Sequence, residues 1–163
     1  MPSAVGSLRS WWVAFHIGGA FAVSGQTGDH HIRQEVLQRG VRDRTFVFGH
    51  WTEAGDTETH LTLLGEVSTL DGRLFKLMNS FHIWGYSRRG TSRLLVFNER
   101  DEYVGNYYAD KTTDLPTQLD EGCLIFRKAP GDERGTGDTT RIDFTGHLPE
   151  RFFVDRKGEF DFD

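Results

Sequence analysis

The sequence predicts an all-β fold: an antiparallel meander closing into a β-barrel, with a two-sheet sandwich or jelly roll as the second choice. Three observations carry this. Segments of alternating apolar and polar residues recur about every ten to fifteen positions, with turn residues between them. Nineteen glycines against four prolines suit many tight reversals. Roughly nine strands joined by hairpin-sized connections must also dispose of their edges, and closing the sheet on itself does so completely.

The elements follow in order. Residues 11–25, WWVAFHIGGAFAVSG, stand behind Arg9 and carry Ala20-Phe21-Ala22, as a secretory signal would. The run is too short for a membrane span, which needs about 20 apolar residues, and it holds His16. Its odd positions are large and apolar (Trp11, Val13, Phe15, Ile17), and its even positions are mostly small. That alternation predicts a retained strand covered on both sides.

Residues 29–40 read either as a helix capped by Asp29, with Ile32, Val36 and Leu37 on one face, or as a strand. The strand is preferred, because a meander gives it a partner on each side. RTFVFGHWTE is a strand. THLTLLGEVST and RLFKLMNSFHIWGY form a hairpin across Leu70-Asp71-Gly72, and SRLLVFNERDEYVGNYYAD forms another, turning near Asn98–Asp101. GCLIFRK, TRIDFTG and the ERFFV/EFDFD pair complete the series, the last with Asp161 and Asp163 on a wet face. Residues 110–121 and 129–138 read as loops. At 163 residues the chain is one domain, 1–163.

Composition excludes several classes. A net charge of −5 without a concentrated basic face argues against nucleic acid and anionic membranes. Cys123 is the single cysteine, so there is neither an internal disulfide nor a cysteine metal site, which suits the cytoplasm. No phosphate-binding glycine loop, nucleophile elbow or zincin motif occurs.

The candidate chemistry lies in polar residues within apolar strands. His16 and His82 are the candidate proton-transfer groups. Trp12, Trp51, Trp84, Asn79, Asn106, Tyr108, His50 and His60 are the candidate ligand contacts. Large apolar walls with a few convergent polar groups describe a small-molecule pocket. The leading expectation is therefore an aromatic-lined interior site for a hydrophobic molecule, with no cofactor and no metal. Any catalysis there would be isomerisation, cyclisation or lyase chemistry, using a strand histidine as acid or base.

Two resemblances bear on this. Gly49-His50-Trp51 is similar to the G-x-W triplet of lipocalins and compatible with a calycin-like barrel, although in lipocalins the triplet belongs to the first barrel strand. DHHIRQE, with His30, His31 and Glu35, resembles the first metal motif of cupins and implies a divalent-metal alternative. Cupins, however, separate the two histidines, whereas adjacent ones on a strand point to opposite faces. The third alternative is a non-enzymatic interaction module, a homodimer being one form of it.

Overall fold

The computed structural model describes residues 27–128 and 139–163. The strand expected over 11–25, with Trp12 and His16, and the loop expected over 129–138 lie outside the described residues.

The strand expected over residues 29–40 requires a correction: 29–39 belong to helix α1 (Thr27–Arg39). Ile32, Val36 and Leu37 form one buried stripe. Asp29 pairs with Arg33, and Glu35 with Arg39, one turn apart. The helix ends at Gly40, whose φ of 61° lets its amide reach back to the Val36 and Leu37 carbonyls. Three apolar residues on one helical stripe are buried without a strand partner on either side, which is why the preference for a strand failed.

β1 (Thr45–Gly49), β2 (Glu58–Ser68), β3 (Leu74–Trp84), β4 (Arg89–Asn98) and β5 (Tyr103–Ala109) form one antiparallel sheet in sequence order. Both expected hairpin turns are present. Gly72 N–H donates to Thr69 C=O at 2.9 Å, and Asp101 N–H to Asn98 C=O at 3.1 Å. β6 (Gln118–Asp120), β7 (Cys123–Arg127) and β8 (Thr139–Asp143) make a second sheet, and β9 (Arg151–Val154) and β10 (Gly158–Asp161) a third. The all-β expectation holds; among the described residues the strands form these three sheets and no closed ring.

Residues 110–121 are not the open loop expected. They hold a 3-10 turn, Thr112–Asp114, as well as β6. Lys157, from the β9–β10 turn, donates to the Thr113 carbonyl and lies 3.8 Å from the buried Asp114 carboxylate. That contact ties the third sheet to this segment.

The large sheet has two unlike faces. α1 lies across one of them. Arg39 sits over the Phe46 ring of β1 at 4.9 Å, while Gln34 donates to the Asp101 carbonyl at the β4–β5 turn. Beneath the helix, Ile32, Val36 and Leu37 pack on Phe46, Leu61, Leu63, Met78, Leu95 and Phe97. Leu64 alternates to the opposite, inner face, and a register shift between Leu63 and Gly65 then brings Val67 to that face as well.

There, Phe75, Leu77, Leu94, Val96 and Tyr107 meet Phe126, Phe144, Phe152 and Phe160 from the smaller sheets. The rings pack on one another: Phe152 and Phe160 stack at 4.8 Å, and Tyr107 lies 5.0 Å from Phe152. The Tyr107 hydroxyl donates to the Pro149 carbonyl at 2.6 Å, and burial pushes its pKa up. This aromatic cluster fills the inner half nearest the β2–β3 and β4–β5 turns.

Candidate functional site

The other half of the inner face lies toward the β1–β2 and β3–β4 connections. Cross-strand register fixes its occupants. One row runs Thr45, Thr62, Asn79, Leu94 and Tyr107 and the next Val47, His60, Phe81, Ser92 and Ala109, with Leu94, Tyr107 and Ala109 at their β4–β5 end belonging to the aromatic cluster. Asn79, His60 and Phe81 therefore share a face, with Asn79 and Phe81 two residues apart on β3. All three are half-buried.

Asn79 is unusual in its hydrogen bonding. Its Nδ2 donates to the Pro116 carbonyl at 2.7 Å. A carbonyl can only accept, so this bond fixes which way the amide faces. Oδ1 is left buried without a partner. Beside it, Phe81 stands edge-on to the His60 ring at 5.8 Å. A Cβ at Gly90, on the neighbouring strand, would meet the Phe81 ring edge at 2.6 Å, so the ring leans into the space that this glycine leaves. The 112–117 segment borders the same half, with Ser92 Oγ 3.5 Å from Thr112 Oγ1.

Glu58 organises the rim. Its Oε1 lies 2.5 Å from His60 Nε2, and its Oε2 accepts from the Trp51 amide at 3.2 Å. His50 Nδ1 is 3.6 Å from the same Oε2. The His60 hydrogen bond, then that of Trp51, holds the Glu58 carboxyl below its usual range. Trp51 is pinned in turn, its indole N–H donating to Gly85 C=O at 2.9 Å and Arg88 lying over its ring at 5.3 Å.

The remaining expected residues that the structure describes lie on the helix-flanked face. His82 pairs across the sheet with Thr59 and Thr91, and its Nδ1 is 2.8 Å from Thr59 Oγ1. Trp84 donates to Thr91 Oγ1 at 3.2 Å. Asn106 is buried, and its Oδ1 accepts from the Tyr103 hydroxyl at 3.0 Å; Tyr108 is half exposed. The expected residues thus fall into two groups: Asn79 and His60, with His50 and Trp51 at the rim, and on the opposite face His82, Trp84, Asn106 and Tyr108.

The DHHIRQE segment is helical, so its residues do not occupy the adjacent strand positions of a cupin site. His30 and His31 are exposed, and Glu35 is engaged by Arg39. Among the described residues no group of three or more ligating side chains is assembled, and no helix is long and apolar enough to cross a membrane. Sequence reasoning missed Glu58 and the site role of Phe81. Each stands two residues from a candidate it did name, His60 and Asn79, and that spacing in a strand is the signal that marks them.

Fold and site together define an all-β protein with a buried aromatic cluster and a half-open polar–aromatic face above it. No protein-family model, curated protein or solved structure matches the chain.

Proposed function

We propose that this chain binds a small, largely apolar molecule carrying one hydrogen-bond donor, seated on the open half of the inner face. The three sheets then act as a barrel-like cup whose floor is the aromatic cluster. The observation supporting this is Asn79 Oδ1, buried and unpartnered above that floor. A buried acceptor without a donor costs about 1–3 kcal/mol, which a ligand N–H or O–H relieves. Phe81 supplies the apolar platform, His60 a second polar contact, and His50 and Trp51 the rim.

Native mass spectrometry of the purified chain gives a first test by detecting a co-purified molecule. The decisive test is NMR titration with indole and with N-methylindole. Indole is expected to shift the Asn79 side-chain amide and the Phe81 and His60 resonances, and N-methylindole to bind more weakly. Asn79→Leu should abolish the discrimination. Equal binding of both compounds by the unaltered chain, or no response at these residues, rejects the reading.

A second reading places proton transfer at His82, on the other face. The supporting observation is the Thr59 hydrogen bond, which fixes the ring through Nδ1. Under that reading His82→Gln abolishes turnover of a substrate while leaving indole binding unchanged; turnover retained by this variant removes it.

A further inference from the structure

The helix-flanked face carries a different chemistry. Arg33 projects from α1 toward β5, its guanidinium 5.8 Å from the centre of the Tyr103 ring. Its side chain is only 15% exposed, and its one ion pair among the described residues is with Asp29, at 3.6 Å. Its Nε is buried without a hydrogen-bond partner. Arg93 lies on the same face, at the register position between Ser80 of β3 and Tyr108 of β5. It is half-buried, and no hydrogen bond or ion pair joins it to another described residue.

We infer that Arg33 and Arg93 form a binding site for a small oxyanion, a carboxylate or a phosphate, between α1 and the β4–β5 pair. The argument is one of unmet charge. An arginine does not shed its proton near neutral pH, so two neighbouring, partly desolvated guanidiniums cannot relieve their repulsion by titrating. Burial above all, with Arg93 adding to it, draws the Arg33 pKa down, while Asp29 and Tyr103 oppose the shift. Among the described residues, Asp29 is already paired with Arg33, and the charge of Asp163 reaches Tyr103. Neither bonds Arg93. The Tyr103 hydroxyl donates to Asn106. Among the described residues Arg93 therefore keeps its full planar set of donors, and Arg33 keeps Nε–H, a combination matched to the two or three oxygens of an oxyanion.

The site lies on the face opposite Asn79 and stands or falls independently of the inner-face reading. Its test is calorimetric titration of the full chain with sodium acetate and, separately, with inorganic phosphate. Low ionic strength is used because salt screens partly exposed charges. One-to-one binding of either anion is expected, and the tighter of the two identifies the ligand chemistry. Arg93→Gln should weaken it by about tenfold or more, the loss of a charged hydrogen-bonding partner. Because Arg33 is largely buried, it is followed in place: its Nε–H resonance should shift on anion addition and not in Arg93→Gln. No saturable heat with either anion, or an Arg93→Gln titration matching that of the unaltered chain, overturns the inference.

Discussion

The two halves of the inner face are built by the same strands in the same alternation, yet one is a core and the other is not. Near the β2–β3 turn, the inward residues Phe75, Leu77 and Val96 belong to one buried cluster with rings from the smaller sheets, and the Tyr107 hydroxyl has its acceptor. Toward the β3–β4 turn, the second layer among the described residues is the 112–117 segment. There the inward residues include Asn79, His60 and Phe81, with an oxygen left unpaired. A strand's inward face thus becomes a core only where another element covers it; where the cover thins, the same register holds groups fit to meet a ligand.

The largest expected effect lies in the packed half. Phe160 is fully buried and stacked on Phe152. Phe160→Ala should cost about 3–5 kcal/mol, read from denaturant unfolding. A loss below about 1 kcal/mol would show that the cluster tolerates cavities and would erase the contrast between the halves.

Two glycines then compare the halves directly. A Cβ at Gly105 would meet the Asp163 carbonyl oxygen at 2.6 Å and the Phe162 ring at 2.5 Å, whereas one at Gly90 meets only the Phe81 ring edge. Gly105→Ala should destabilise by about 1–3 kcal/mol, because backbone must move. Gly90→Ala should cost about 1 kcal/mol or less while weakening indole binding, because a ring edge can swing aside. Thermal melts of both variants, with one indole titration, decide the ordering.

The smallest effect is electrostatic and belongs to the open half. Because Glu58 has a depressed pKa in the folded chain, its contribution is complete above the ordinary glutamate range. It is lost as the pH falls through the folded value. The Trp51 amide, which donates to Glu58, should titrate with a midpoint below that range in 15N NMR, and His60→Gln should raise the midpoint. An unmoved midpoint in this variant would mean that His60 does not hold the carboxylate.

Much of the sheet was legible in the sequence. Asp71-Gly72 and Asn98–Asp101 mark turns by backbone chemistry alone, and the alternation of Phe160 and Phe162 with Asp161 separates a buried edge from a wet one. The phase of β3 was not legible. Phe75-Leu77-Asn79-Phe81-Ile83 and Lys76-Met78-Ser80-His82-Trp84 are both mixed sets, and only the position of α1 decides which faces the aromatic cluster. With α1 read as a strand, that information was missing. Asn79 and Asn106 are likewise alike in sequence. Tyr103 satisfies one, while the Oδ1 of the other is unpaired, a distinction made by tertiary contacts alone.

The backbone pairing of Asn106 with Asp163, through two hydrogen bonds of 3.0 and 2.9 Å, has a consequence for folding rates. The β1–β5 meander closes through short loops, whereas this pairing spans 57 positions (163 − 106). Loop-closure entropy makes such a contact slow to form, so the meander should assemble before residues 162–163 dock on β5. Strain placed at Gly105 then acts after the transition state: Gly105→Ala should steepen escape from the native state and leave the refolding rate nearly unchanged. A chevron whose folding limb moves instead would make the far end of the chain part of the nucleus.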